Sequence, residues 1–265
     1  MSYIPLSWVD VGAAAILVLA SGIISIVLRL GIERTLAIAA VRMFVQLALI
    51  GFVLKLLFAQ TGWLWTALVA LVMVLIASHE VWARQSNRLS GWGTFGLGTA
   101  TLLCVSVLAS AYVIGGVIGL DPWYLPRVFV PIFGMILGSA LTGTALALDT
   151  LTETAKAERG AIEARLMLGA SRFVAFEAVL KRSLRTALMP LINAMAVAGV
   201  VTLPGMMSGQ IIAGVDPVQA SRYQIVILFS LAGATVLAVV IGAFGGVALL
   251  TDKRHRLRLD RLKSS

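Results

Sequence analysis

Two adjacent methionines, Met206 and Met207, stand in the run Leu203-Pro204-Gly205-Met206-Met207-Ser208-Gly209-Gln210. Thioether sulfurs are soft ligands, better suited to Cu(I) than to Fe(II). Methionine is also a flexible apolar filler, and packing is the expectation for this pair. The backbone of the run carries more. Proline donates no N–H and glycine admits unusual dihedrals, so a helix through Pro204 and Gly205 should kink or break. Carbonyls freed by such a break, with Ser208 and Gln210 beside them, are tolerated at membrane depth where they line a cavity.

Arg42 is the second chemically marked position. It lies inside an apolar stretch, one helical turn from Gln46 and on the same face. A charged residue there faces a path or partner by default. As structure, it would snorkel to headgroups or pair with Glu80 or Asp149. Lining a path, it would suit an anionic or chelated solute and repel a bare cation. His79-Glu80 begins like H-E-x-x-H, but position 83 is Ala, so the zinc-protease pattern fails. His255 belongs to a basic tail, and Cys104 sits in an apolar run where it reads as a small apolar residue. No His, Cys, Asp or Glu cluster in the sequence offers a closed metal site, no catalytic residue is expected, and any metal ligands stay unspecified.

The elements that must position these residues are membrane helices. The chain is 60% hydrophobic and 12% charged, and apolar runs of about 20 residues recur, the length that crosses a hydrocarbon core. The ~10-residue alternation of a membrane barrel is missing. The pattern predicts an all-α polytopic bundle, a single transmembrane domain over residues 1–265. Seven spans are expected, at about 8–28, 36–58, 63–82, 93–119, 127–148, 186–213 and 222–250, with a long loop at 149–185 and a basic tail at 252–265. No Lys or Arg precedes the first apolar run, so a retained span is expected there and not a cleaved leader.

Net charge +9 points here to lipid and not to nucleic acid, because cytoplasmic loops of membrane proteins are enriched in Lys and Arg. With the N-terminus outside, 17 of the 21 Lys and Arg fall on the inner side; Lys55, Arg127 and Arg222 fall outside, and Arg42 lies within a span. That bias predicts a cytoplasmic C-terminus. Small residues four apart (Gly134/Gly138, Ser139/Gly143, Gly205/Gly209, Gly242/Gly246) mark close helix packing within the bundle or between protomers.

One stretch does not fit a chain built for lipid. ERGAIEARLMLGASRF, residues 158–173, is charged every few residues and should face the cytoplasm. Ile162, Leu166, Gly169, Phe173, Phe176 and Leu180 form an apolar stripe, with Arg159 and Glu163 paired on the polar side. Gly169 suits a helix C′ position and Ser171 a following N-cap. The segment is therefore expected to be helix, tight turn, helix, lying along the membrane. An amphipathic helix resting on headgroups and a docking element both satisfy this pattern.

Glu163-Ala164, then Gly169-Ala170-Ser171, resembles the "EAA" loop of ABC-transporter permeases, which seats a coupling helix in a separate ATPase. The proline that ends that pattern is missing; Lys181 follows Val179-Leu180. RMFVQLALIGFVLK (42–55), VPIFGMILGSA (130–140) and VVTLPGMMSGQIIAGVDPVQASRYQI (200–225) are similar to the FetB family of iron-export permeases. The resemblance implies an inner-membrane ABC permease, expected as a homodimer, with a cytoplasmic FetA-like ATP-binding subunit. It also implies export of iron or a related metal species. Plant members act with an ATPase in aluminium tolerance, which leaves an organic or chelated anion as the alternative cargo. A third reading, from another class, is an ATP-independent channel or scaffold. The chain contains no G-x-x-x-x-G-K-[ST] stretch; ATP and magnesium are expected on the partner, with no cofactor in this chain.

Overall fold

The computed structural model describes residues 7–59, 62–85, 87–89, 92–252 and 256–264. Lys253, Arg254 and His255 of the tail lie outside the described residues. The chain divides into two units, Met1–Gln60 and Thr61–Ser265.

The first unit is a helical hairpin of α1 (Trp8–Val27) and α2 (Glu33–Leu57). Ser7 and Asp10 form a reciprocal capping box that starts α1. Arg29 (φ 50°) and Gly31 (φ 72°) take the left-handed conformations of the connecting turn. The hairpin is held by the Ser25 hydroxyl donating to Glu33 at 2.9 Å and by an edge-on contact of Trp8 with Phe44.

The second unit contains α3 (Trp63–Ala83), α4 (Trp92–Ala111, ending in a π-helical turn, Tyr112–Val117), α5 (Pro126–Ala157), α6 (Arg159–Met167), α7 (Arg172–Ala175), α8 (Glu177–Val197), α9 (Gly205–Ile212) and α10 (Pro217–Leu250). Two three-residue strands, β1 (Asn87–Leu89) and β2 (Leu262–Ser264), pair antiparallel. The tail therefore folds back, and the Arg261 guanidinium donates to the Leu249 carbonyl at 2.7 Å. A bidentate Arg258 contact holds the Asp260 carboxyl below its ordinary range.

The centre of this unit is the α5–α10 pair. Small residues let the backbones close: a methyl at Gly143 would stand 2.8 Å from a Val239 methyl, and one at Gly242 would stand 2.9 Å from a Thr144 methyl. The Ser139 and Thr235 hydroxyls hydrogen-bond across the seam at 2.8 Å. Around it Phe133, Ile136, Leu148, Leu151 and Val247 are fully buried. Of the small-residue pairs seen in the sequence, Gly242/Gly246 and Ser139/Gly143 lie in this seam. At Gly138, by contrast, a methyl would meet nothing within 4 Å.

Six helices among the described residues are long and apolar enough to cross a membrane: Trp8–Val27, Glu33–Leu57, Trp63–Ala83, Phe95–Val117, Pro126–Ala157 and Pro217–Leu250. The architecture is the expected all-α membrane bundle, with one difference in count. The stretch taken as a continuous span at 186–213 is split between α8 and α9. The first half of α8 carries Glu177, Lys181, Arg182 and Arg185, and its apolar part ends at Val197. Helix boundaries also move. α5 continues to Ala157, since residues 149–157 are polar but still bury Leu151, Thr152, Thr154 and Ala155 against the bundle, which outweighs the weak helix preference of Asp and Thr. α10 starts at Pro217, a first-turn proline whose helix is capped by Asp216 accepting from the Gln219 N–H at 3.0 Å.

Candidate functional site

The residues singled out in the sequence fall on three local sites. Glu163, Ala164, Gly169, Ala170 and Ser171 share one helix–turn–helix; Gly205, Met206, Met207, Ser208 and Gln210 share α9, with Pro204 at its N-cap; Arg42 and Gln46 share an exposed face of α2 in the first unit, one turn apart.

The helix–turn–helix is built as its sequence predicts, with one exception. α6 ends at Met167, and Gly169 takes φ 85°. The Gly169 N–H donates to the Leu166 carbonyl and the Ala170 N–H to the Arg165 carbonyl, both at 3.1 Å, which closes a Schellman turn. Ser171 is at the N-cap of α7, but its hydroxyl makes no capping bond; with ψ 155° the backbone turns there, and the four-residue helix is held by other means. The Arg165 guanidinium donates to the Ala175 carbonyl at 3.4 Å, tying α6 to α7. Phe173 leans on Phe244 of α10 at 5.5 Å, with Arg172 over its ring. Ile162, Ala175, Phe176, Val179 and Leu180 are buried under the pair. The apolar stripe anchors this element to the bundle, with Gly169 and Phe173 at its exposed edge.

On the outward side Arg159 and Glu163 pair at 2.8 Å. Lys181 pairs with Glu177 at 2.6 Å and holds that carboxyl below its ordinary range. Between these charges the turn pushes out Met167 and Leu168, 86% and 88% exposed. Sequence reasoning missed them. The signal was there: two large apolar residues off the stripe, at the end of a polar helix and directly before the turn glycine. Two adjacent large apolar groups at the tip of a turn are a candidate contact surface.

The break in the α8–α9 stretch lies just before Pro204. α8 stops at Val197, and Gly199 at φ 83° reverses the chain. The Val197 carbonyl collects the N–H groups of Val201 and Thr202 at 3.0 and 3.2 Å, while the Gly199 N–H donates to the Thr202 carbonyl at 2.8 Å. The turn thus satisfies its own backbone. Pro204 is the N-cap of α9, and Gly205 its first residue. Met206, Met207 and Ser208 are half-buried, and the Ser208 hydroxyl donates to the Pro204 carbonyl at 3.3 Å. The Gln210 side-chain oxygen is buried with no protein partner.

α8 adds polar groups that the sequence reading passed over. Pro190 lies inside it and removes the donor for the Thr186 carbonyl without breaking the helix. Thr186 and Asn193 are both exposed along the same helix. An amide in an otherwise apolar stretch was the available signal. Gln224 of α10 is buried, again with an unpartnered oxygen. Among the described residues, no three His, Cys, Asp or Glu side chains group to hold a metal ion.

Residues 8–249 match the family described as "Uncharacterised protein family (UPF0014)". The chain is 29% identical over 257 residues to the "Probable iron export permease protein FetB" of Escherichia coli (strain K12), covering 94% of each chain. It is 33% identical over 236 residues to the "UPF0014 membrane protein STAR2" of Oryza sativa subsp. japonica, covering 88% of this chain and 80% of that one. With "Protein ALUMINUM SENSITIVE 3" of Arabidopsis thaliana it shares 31% identity over 236 residues, 88% of this chain and 83% of the relative. No solved structure matches. The match spans every apolar helix from Trp8 to Leu249, so the chain is an integral membrane protein belonging to the UPF0014 family.

Proposed function

We propose that this chain is the permease subunit of an ATP-driven ABC exporter, working as a homodimer and moving iron or a related metal species. The observation that carries the coupling role is the α6–α7 pair, a rigid helix–turn–helix that presents Met167 and Leu168 away from its own bundle. ATP and magnesium belong to a separate ATP-binding subunit in this reading. The relative named for iron export supports the cargo. Uptake of radiolabelled iron into inverted vesicles, with and without ATP and the partner, tests it; ATP-independent uptake would overturn the proposal.

The reading requires the α6–α7 pair to face the cytoplasm, with the N-terminus outside and the protein in the inner membrane if the cell is bacterial. The bias of 17 inner against 3 outer positive charges supports this. A reporter active only in the cytoplasm will therefore be active when fused after Ser265 and silent when fused before Tyr3. The reverse pattern would remove the docking surface from the ATPase side.

Arg42 favours a second cargo class, an organic or chelated anion carried with the same ATPase coupling. It stands with Gln46 on one exposed face of α2, and a guanidinium there attracts anions. Arg42→Ala is expected to cut uptake of a chelated anion by about tenfold, the worth of roughly 1.4 kcal/mol, while ATPase recovery stays at the wild-type level. Unchanged uptake by the folded variant would assign Arg42 to structure.

A further inference from the structure

Between α3, α4 and α5 lies a cavity of about 600 Å³ that the transport reading does not use. Trp63, Thr66, Ala67, Leu103, Trp123 and Phe129 are among the residues that line it. Its walls are fixed. Trp123 meets Tyr124 and Phe129 edge-on, at 6.2 and 5.7 Å. The Thr66 hydroxyl, the one side-chain hydroxyl in the wall other than that of Tyr124, donates to the Tyr124 carbonyl at 2.9 Å. The other polar side-chain groups of the lining residues are the Tyr124 hydroxyl and the Trp63 and Trp123 indole N–H groups; the rest of the wall is apolar. Water needs two to four polar partners to occupy a cavity, so an apolar occupant suits this wall better.

The cavity runs from the first residue of α3 to Leu71, roughly 12 Å along the helix at about 1.5 Å per residue. It starts where Trp63, Trp123 and Tyr124 cluster, as aromatic side chains do at a membrane–water boundary. Arg127, exposed in the first turn of α5 and three residues after the Tyr124 carbonyl that Thr66 holds, stands at that same depth. An arginine at headgroup depth attracts a phosphate. We infer that this cavity binds one acyl chain of a phospholipid whose phosphate is met by Arg127.

The test uses the full chain purified in detergent and titrated with palmitoyl-oleoyl-phosphatidylglycerol, with bound lipid counted by native mass spectrometry. One tightly held phosphatidylglycerol per chain is expected. Ala67→Trp, at an exposed position whose side chain fills the cavity, should weaken it by at least about tenfold, and Leu71→Trp likewise. Leu68→Trp adds equal bulk outside the cavity wall and should bind as wild type. Arg127→Ala should weaken binding about fivefold and remove the preference for phosphatidylglycerol over a diacylglycerol of the same chains. Equal retention by wild type and both cavity-filling variants would overturn the site, as would absence of any bound lipid from wild type. Equal wild-type affinity for the two lipids would overturn the role of Arg127.

Discussion

A chain carrying Met167→Asp and Leu168→Asp together is expected to insert and fold normally, yet to recover no ATP-binding subunit on pull-down and to transport nothing. Both side chains are almost fully exposed and touch little of their own bundle, so their loss costs the fold little. Burying each in a partner's groove is worth about 1.5–3 kcal/mol, so the pair contributes about 3–6 kcal/mol of docking. Carboxylates at those positions would also need desolvation. Glu163→Arg is a milder probe of the same surface. It breaks the exposed Arg159–Glu163 pair, worth about 0.5 kcal/mol at most to the helix, and reverses the charge beside the docking tip. Pull-down in detergent separates the two readings of this element, because no bilayer is present. Undiminished ATPase recovery by the double variant would leave a helix that merely rests on headgroups.

Gly143→Leu should prevent the membrane domain from reaching its native packing. Even a methyl at Gly143 would press on Val239 at 2.8 Å and Thr235 at 3.0 Å, both buried and β-branched, so neither can swing away. Overpacking of this kind costs about 3 kcal/mol, and the Ser139–Thr235 hydrogen bond would be forced apart as well. Gly138→Leu, five residues earlier on the same helix, adds the same bulk where a methyl meets nothing within 4 Å. Melting in detergent is therefore expected to show a large loss for Gly143→Leu and little change for Gly138→Leu. Equal losses would show that the α5–α10 seam is not the tight contact described.

That contrast marks the limit of the sequence. Four-residue spacing identified Gly143 and Gly138 alike, because spacing records which residues share a helix face and not which face meets a neighbour. The apolar helices were legible because lipid demands length and composition that few sequences supply by chance. Hydropathy cannot see hydrogen bonds, and this explains the errors. Val200 to Leu203 are apolar enough to extend a span, but Gly199 and Pro204 on either side end the helix there. Asp149 to Ala157 are polar enough to suggest a loop, yet remain helical.

The turn at Gly169 was legible because few residues other than glycine accept φ near 85°. The direction of Met167 and Leu168 was not, since it depends on which side of α6 the buried Ile162 faces. Similarly, the unpartnered oxygens of Gln210 and Gln224 depend on neighbours brought together from distant parts of the chain.

The length of α5 has a mechanical consequence. Its 32 residues extend about 48 Å, well beyond a hydrocarbon core of about 30 Å, and only Glu158 separates it from α6. It is buried at intervals from Pro126 to Ala155, so it is held along its whole length and not at one point. A rod gripped in that way has little room to tilt or bend. Displacement of α6 at one end would therefore travel along its axis to the other, where Phe129 lines the cavity.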